Sequence, residues 1–119
     1  GVASAAARLH AQGILHGELY AHNVLWHEDG SCLLGDFGAA SLYSAMDNRT
    51  SAALQRIEVR AFGCLLEELL DRVITDPEQM PVMNRLRALQ EHCVAPVVSE
   101  RLSFTEVEWE LTRLTDIIR

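Results

Sequence analysis

The sequence predicts an α+β domain that is mainly α-helical and carries one short β-hairpin. Apolar residues recur at steps of three and four along most of the chain, which is the period of helices with one buried face. Two short apolar runs, residues 24–26 and 32–34, lie on either side of an Asp-Gly pair, the usual signal for a tight hairpin. With 119 residues, of which 49% are hydrophobic, the chain is long enough for one sizeable core.

The first helix and the longest helix follow from residue pattern. Residues 2–12 are strong helix formers that end before Gly13, a favourable residue just past a helix C-terminus. The longest helix is expected from about residue 51 to residue 72, and its wide apolar stripe predicts a central, largely buried position. Residues 39–50 show no clear period and are interpreted as a loop.

The C-terminal third predicts two more helices after a break. Residues 75–77, Thr-Asp-Pro, mark the break, because a residue before proline favours a turn or a helix start. An amphipathic helix is expected over residues 82–93. Ser103 opens the last helix, since Glu106 stands three residues further on at the spacing of a capping box.

Composition and charge exclude several classes of protein. Ten Lys plus Arg against 17 Asp plus Glu leave a net charge of −7, which argues against an electrostatic nucleic-acid binder. No apolar run is long enough to span a bilayer, so no membrane segment is predicted. The odd number of cysteines, without metal-site spacing, predicts free, buried thiols in a reducing cytoplasm; they are Cys32, Cys64 and Cys93. Trp26 and Trp109 lie in apolar patterns and are expected in the core.

An oxygen-rich cluster is expected at one end of the hairpin. Glu18 and Asn23 lie in the loop before the first strand, and Asp36 follows the returning strand, so the hairpin brings them to the same end. Carboxylate and amide oxygens suit Mg²⁺, which takes few protein ligands and uses substrate phosphates for the rest. Gly35 and Gly38 let the backbone turn sharply beside Asp36. On spacing alone, a role of these carboxylates as simple turn residues stays open.

Four segments resemble the motifs of eukaryotic-type protein kinases. Residues 16–23, HGELYAHN, are similar to the catalytic loop of that family, and residues 36–38 reproduce its D-F-G motif. Residues 58–69 resemble its buried central helix, and residues 93–104 resemble the segment before its last helix. The resemblance implies a protein-kinase-like fold and covers the C-terminal lobe only. Residues 1–119 are therefore interpreted as that lobe, with the N-lobe absent from this chain.

The resemblance also implies roles for individual residues. Glu18 stands at the position of the catalytic aspartate, which orients the substrate hydroxyl and accepts its proton. Asn23 is the second catalytic-loop residue, and Asn23 and Asp36 stand at the positions of the Mg²⁺ ligands beside the ATP phosphates. Phe37 and Gly38 complete the motif. ATP and Mg²⁺ are thus the expected cofactors, with Asn23, Asp36, Phe37 and Gly38 as the cofactor-binding residues.

Further residues are expected to support the loop. The resemblance implies that His16 packs against Phe37 and that Glu58 anchors the loop from below. Arg101 lacks the glutamate with which the family pairs it, and is expected at the surface or beside Glu58. The remaining histidines, His10 among them, show no carboxylate partner at ligand spacing and are expected to serve surface or core packing.

Several positions depart from the protein-kinase pattern. Glu18 replaces aspartate, and its extra methylene displaces the carboxylate by roughly 1.5 Å, a shift that can cost about a hundredfold in rate. Gly17 replaces the arginine through which a phosphorylated activation segment acts, so that form of control is not expected. The chain has no lysine, and Tyr20 stands at the lysine position of the catalytic loop. No A-P-E motif follows, so the platform for a peptide substrate is short or missing.

The predicted function is ATP-dependent phosphotransfer to a protein, of the Ser/Thr type, in a parent protein whose N-lobe helps to bind ATP and the protein substrate. The isolated chain is expected to be inactive and cytoplasmic, with no nucleic-acid partner. Two alternatives stay open. One is a pseudokinase that serves as a binding or scaffolding module. The other is a small-molecule kinase of the aminoglycoside or choline type, with which the H-G-x-L form of the loop is shared.

Overall fold

The computed structural model describes residues 1–43, 47–74 and 76–118. Their helices and strands follow in the order α1 (Val2–Ala11), β1 (Ile14–Leu15), β2 (Val24–Trp26), β3 (Cys32–Leu34), β4 (Ser41–Leu42), α2 (Asn48–Arg72), α3 (Met80–Cys93) and α4 (Phe104–Ile118). Short 3₁₀ turns lie at residues 21–23, 77–79 and 98–100. The predicted loop at 44–46 and the predicted break at Thr75 fall outside the described residues.

The predicted hairpin is formed by β2 and β3, which pair antiparallel in the register Val24↔Leu34, Leu25↔Leu33 and Trp26↔Cys32. Its connection is wider than a tight two-residue turn, because residues 27–31 separate the strands. Asp29 Oδ1 stabilises this turn by accepting hydrogen bonds from the backbone N–H and the hydroxyl of Ser31. A second antiparallel pair joins β1 to β4. β4 was not predicted, since two residues are too few to show a period.

Helix α2 begins three residues earlier than expected. The carboxylate of Asp47 accepts a hydrogen bond from the backbone N–H of Thr50 (2.8 Å), which makes Asp47 the N-cap. The predicted loop over residues 39–50 is therefore wrong for β4 and for the first turn of α2. The prediction that α2 is largely buried holds for one face only, because Ile57 and Leu69 of the same apolar stripe are exposed.

The core lies where α2 packs against α3 and where α1 packs against α4. The largest fully buried side chains include Phe104, Leu19, Val59 and Val107, which come from α4, the loop after β1, and α2. The start of α4 is the predicted capping box, now confirmed: Ser103 Oγ accepts from the N–H of Glu106, and Glu106 Oε1 accepts from the N–H of Ser103. This mainly helical architecture with a short hairpin matches the predicted fold class.

The prediction that both tryptophans lie in the core is wrong. Trp26 is 76% exposed and Trp109 is 58% exposed. The guanidinium of Arg113 covers one face of the Trp109 ring at 4.7 Å from its centroid, which is favourable for an exposed aromatic ring. The apolar runs around both residues are real, but each tryptophan lies on a mainly exposed side of its element.

The three cysteines are free, as predicted, but only Cys93 is buried; Cys32 is half-buried and Cys64 is exposed. Burial raises the pKa of the Cys93 thiol to about 12. In the part of the chain that the structure describes, no helix is both long enough and apolar enough to cross a membrane.

Candidate functional site

The loop between β1 and β2 is held from below by a buried carboxylate of α2. Glu58 Oε1 accepts a hydrogen bond from the backbone N–H of His16 (3.1 Å), and Oε2 accepts one from the backbone N–H of Gly17 (2.8 Å). Burial raises the pKa of the Glu58 carboxyl, but hydrogen bonds from His10, Gly17 and His16 outweigh it, so the pKa lies below its usual value. The expected anchoring role of Glu58 is confirmed.

The same carboxylate also binds a buried histidine of α1. His10 Nε2 lies 3.0 Å from Glu58 Oε1. His10 is buried and packs on Phe104, as its expected role in core packing implies, and the fold adds a carboxylate partner that sequence spacing does not show. The two residues are 48 positions apart in the sequence, and the contact exists only because α1 and α2 come together in the fold. The pair ties the loop of residues 16–23 to two helices at once.

His16 connects the loop of residues 16–23 to the D-F-G segment. Its buried ring accepts a hydrogen bond at Nδ1 from the backbone N–H of Glu18 (3.2 Å), which places the ring proton on Nε2. Nε2 in turn donates to the backbone carbonyl of Gly35 (2.7 Å). The ring also meets Phe37 edge to face, with 4.9 Å between centroids, which confirms the predicted packing of His16 on Phe37.

Glu18, Asn23 and Asp36 come to one end of the hairpin, as the sequence indicated. Asn23 Nδ2 donates to the backbone carbonyl of Glu18 (2.7 Å), and the carbonyl of Asn23 accepts from the N–H of Gly35 (2.8 Å). Asn23 therefore stands opposite Gly35, one position before Asp36. The roles of these three residues as catalyst and metal ligands stay predictions.

The conformation of Asp36 is unusual. Its φ of 54° lies in the left-handed region, which residues with a side chain rarely adopt and which Asp tolerates better than most. Asp36 Oδ1 accepts a hydrogen bond from the N–H of Gly38 (3.2 Å), which supports the turn. Among the described residues, no donor reaches the other carboxylate oxygen of Asp36 or the amide oxygen of Asn23. Both oxygens are free to bind a ligand.

Gly17 fits where a larger residue cannot. Its φ is +90°, and a Cβ at this position would lie well inside the contact distance of the Ala39 carbonyl oxygen. The loop of residues 16–23 thus packs with its bare backbone against the segment that follows Gly38. Any residue other than glycine at position 17 would therefore force one of the two segments to move.

The segment after Gly38 is attached to the scaffold at β4 and Tyr43. The buried Tyr43 donates its hydroxyl proton to the carbonyl of His10 (2.7 Å) and accepts from Gln55 Nε2 (2.6 Å). Its backbone N–H donates to the carbonyl of Gly13 (2.9 Å). Sequence reasoning missed this anchor; the one available signal was an aromatic residue inside a segment interpreted as a loop.

Arg101 does not take the position expected of it. Its Nε donates to the carbonyl of Ala95 (2.7 Å), and one terminal nitrogen donates to the carbonyl of Arg56 on α2 (3.2 Å). Arg56 returns a hydrogen bond from its own Nε to the carbonyl of Arg101 (3.2 Å). Arg101 is half-buried and, among the described residues, does not bond to Glu58, so that alternative of the prediction is wrong; the guanidinium fastens the segment before α4 to α2.

The donor atoms at the hairpin end fit a magnesium ion that is shared with a nucleotide. Within residues 1–43, 47–74 and 76–118, no three His, Cys, Asp or Glu side chains form a metal cluster. A Mg²⁺ site that uses one carboxylate, one amide oxygen and the oxygens of phosphates does not need such a cluster. Asp36 and Asn23 supply those two kinds of protein oxygen.

Residues 1–84, which contain the loop, the hairpin, the D-F-G segment and α2, match the sequence profile of the lipopolysaccharide kinase (Kdo/WaaP) family. The chain is also 32% identical over 91 residues to a probable inactive L-type lectin-domain containing receptor kinase III.1 from Arabidopsis thaliana. That match covers 68% of this chain and 14% of the plant protein. The chain is 47% identical over 45 residues to a probable bifunctional tRNA threonylcarbamoyladenosine biosynthesis protein from Methanoculleus marisnigri, which is 38% of this chain and 8% of that protein.

These matches confirm the predicted kinase-like fold and support a phosphotransferase. They support a kinase-like family in general, and not membership of the eukaryotic-type protein kinases in particular. The chain spans only a small part of the length of both curated relatives.

Proposed function

The chain belongs to the lipopolysaccharide kinase (Kdo/WaaP) family, and from this premise we propose that it carries the catalytic loop and the metal-binding carboxylate of an enzyme that transfers the γ-phosphoryl group of ATP to a hydroxyl. The supporting observation is the meeting of Glu18, Asn23 and Asp36 at one end of the hairpin, where hydrogen bonds from Asn23 to Glu18 and from Gly35 to Asn23 fix their backbones. We further propose that residues 1–119 form the C-terminal lobe of this enzyme.

The hairpin offers a surface for the nucleotide base. Leu25 and Leu33 are paired across the strands and are 68% and 71% exposed, so they form a flat apolar patch. Leu25 follows Asn23 by two positions, which is roughly 7 Å along a strand. A nucleotide that lies on the hairpin would therefore bury these leucines under its base and extend its phosphates toward Asn23 and Asp36.

Asn23 and Asp36 are the residues that would hold the metal ion. The free amide oxygen of Asn23 and the free carboxylate oxygen of Asp36 are hard donors of the kind that Mg²⁺ prefers, with phosphate oxygens in the remaining positions. Held by these two residues, magnesium would supply positive charge to offset the negative charge that develops on the phosphate oxygens during transfer.

Glu18 is the proposed base. Its backbone N–H donates to His16 and its carbonyl accepts from Asn23, so the backbone is fixed on both sides while the carboxylate can meet a substrate. In the proposed step, the carboxylate takes the proton of the acceptor hydroxyl. The oxygen forms a bond to the γ-phosphorus as the bond between that phosphorus and the bridging oxygen breaks, and the electron pair leaves with ADP.

The family favours a saccharide hydroxyl as the acceptor, because lipopolysaccharide kinases give it its name. A Ser or Thr hydroxyl of a protein is the second candidate. It is supported by the D-F-G sequence at residues 36–38 and by the similarity to a receptor kinase. That relative is described as inactive, so the same similarity also supports a non-catalytic binding module as the alternative.

The experiment uses the native polypeptide at the length its source makes, after its intact mass has been measured. Transfer of label from γ-labelled ATP is followed with Mg²⁺ and two acceptors, a Kdo-containing lipooligosaccharide and casein. We expect Asp36→Asn to lower kcat/KM at least about a hundredfold, because it removes the carboxylate at the metal. Asp29→Asn is the matched control, since it makes the same charge change at the far end of the same hairpin.

Two outcomes would reject the proposal. An equal loss in Asp29→Asn and Asp36→Asn would contradict the assignment of Asp36. Absence of transfer to both acceptors, in the native protein and in Glu18→Asp, would favour a binding module. Glu18→Asp is informative because it restores the carboxylate position of the protein-kinase family, and an active enzyme is expected to become faster.

A further inference from the structure

We propose that a groove beside the catalytic loop binds an anionic group, phosphate or carboxylate, of a saccharide acceptor. The groove consists of three adjoining cavities of about 180, 420 and 530 Å³ along the exposed side of α2. The first and second share Leu19, Tyr20, Ile57 and Ala61, and the second and third meet at Val98. This inference rests on the function proposed above, which supplies the acceptor; we call the feature the arginine groove.

The arginine groove starts at the catalytic loop. Gly17 and Leu19, the neighbours of Glu18, line its smallest cavity together with Tyr20. A hydroxyl presented to Glu18 would therefore belong to a molecule whose remaining part can extend along α2. None of the residues that line its three cavities belongs to the hairpin whose leucines are assigned to the nucleotide base, so the groove is available to the acceptor.

The walls of the groove are basic in a chain that is acidic. Arg60 and Arg101 line the middle cavity, and Arg49 and Arg56 line the outer cavity. Four of the ten basic residues thus surround one groove, although the chain carries a net charge of −7. The acidic residues of the lining are Glu58 in the smallest cavity, where it is hydrogen-bonded to His10, and Glu68 in the middle cavity; the described lining of the outer cavity has none.

These arginines lack carboxylate partners in the part of the chain that the structure describes. The ion pairs there are His10 with Glu58 and Arg87 with Asp71, and neither includes one of the four arginines. The guanidinium groups of Arg56 and Arg101 donate only to backbone carbonyls. Those of Arg49 and Arg60 donate to no described group.

Four uncompensated guanidinium groups produce a local positive potential that attracts an anion. A guanidinium also presents paired N–H donors that match the two oxygens of a phosphate or a carboxylate, which makes arginine a specific ligand for either group. The chemistry of the groove therefore selects an oxyanion on the acceptor rather than a neutral hydroxyl compound.

The shape of the groove favours a saccharide over an extended peptide. One wall is the interior of α2, whose backbone N–H and carbonyl groups are already used within the helix, so a peptide finds no main-chain partners along that wall. The ring of Tyr20 is 52% exposed and stacks on His22 with 5.7 Å between centroids. A flat, supported aromatic ring is a suitable surface for the C–H face of a sugar.

The test measures binding without ATP, so that it is independent of transfer activity. The isotopically labelled native polypeptide, at the length its source makes, is titrated with glucose 6-phosphate, and the amide signals of residues 1–119 are followed by NMR. We expect saturable shifts at groove residues such as Ile57 and Val98 and no such shifts with glucose. Arg60→Gln is expected to weaken binding about tenfold, while Arg8→Gln, the same change at an exposed position of α1 outside the groove, stays within about twofold.

Several results would overturn the inference. Shifts confined to Asn23 and Asp36 would place the phosphate at the nucleotide site. Equal weakening by Arg8→Gln and Arg60→Gln would indicate general charge attraction only. Binding of a penta-glutamate peptide, but not of glucose 6-phosphate, at the groove would assign it to a protein partner. If glucose 6-phosphate binds in an Arg60-dependent manner and no acceptor is phosphorylated, the groove stands and the proposed reaction fails.

Discussion

Replacing Glu58 by glutamine tests whether this buried carboxylate holds the loop of residues 16–23. The carboxylate accepts three hydrogen bonds, from His10 Nε2 and from the backbone N–H groups of His16 and Gly17, at 3.0, 3.1 and 2.8 Å. Glutamine has almost the same shape but only one acceptor oxygen. Its NH₂ group must therefore face at least one donor, which leaves a buried N–H without a partner.

The expected loss in the free energy of unfolding is about 3 kcal/mol. An unsatisfied buried N–H costs about 1–3 kcal/mol, and the remaining hydrogen bonds each lose roughly 1 kcal/mol when the acceptor becomes neutral. The Glu58 side chain is only 5% exposed, so solvent screening does not reduce the effect. Such a loss is a large part of the roughly 5–15 kcal/mol that stabilises a domain.

Urea unfolding measures this loss directly. With a slope of about 1.5 kcal/mol per molar urea, the midpoint should fall by about 2 M. The matched control is Glu68→Gln, an identical change at an exposed position of the same helix, which is expected to stay within about 0.5 kcal/mol. Hydrogen exchange should also become faster at the amides of His16 and Gly17. Equal losses in the two variants, or unchanged exchange at these amides, would refute the reasoning.

Three further predictions follow from single positions. Gly17→Ala should lower the urea midpoint more than Gly30→Ala, because both glycines have positive φ (90° and 88°) but only a Cβ at residue 17 meets a backbone carbonyl; equal midpoints would contradict this. A thiol reagent at about pH 8 should modify the exposed Cys64 in the folded chain. It should modify Cys93 only after unfolding, because burial raises the pKa of that thiol to about 12; modification of both thiols in the folded chain would contradict this prediction. Hydrogen bonds hold the folded-state pKa of Glu58 below its ordinary value of 4.5, so the free energy of unfolding should decline as pH falls from 4.5 through the lower folded pKa. Glu58→Gln should flatten this decline, and parallel curves of stability against pH for the two proteins would argue against it.

The parts of the fold that were predictable are those that local chemistry determines. The hairpin follows from an Asp-Gly turn between two apolar runs, and the start of α4 follows from the spacing of Ser103 and Glu106. The meeting of Glu18, Asn23 and Asp36 followed from the hairpin as well, because a hairpin returns the chain to the end at which it started. Each inference needed only residues that are close in the sequence.

The parts that were missed depend on contacts between distant segments. The pairing of His10 with Glu58 joins α1 to α2, and the hydroxyl of Tyr43 bonds to the carbonyl of His10 at the end of α1. The exposure of Trp26 and Trp109 is another case, since an apolar pattern shows that a face exists but not whether a neighbour covers it. No local pattern encodes which helices pack together.

The largest difference from the protein-kinase pattern lies in how the segment after Asp36 is held. Gly17 replaces the arginine through which a phosphorylated segment acts, and the bare backbone at Gly17 packs on Ala39 instead. β4 pairs with β1 just beyond, and Tyr43 fixes the end of the segment with three hydrogen bonds. These contacts are uncharged and need no added phosphate. Neutral packing and strand pairing therefore position Asp36 in this chain, where the kinases that its motifs resemble use an ionic contact that can be switched.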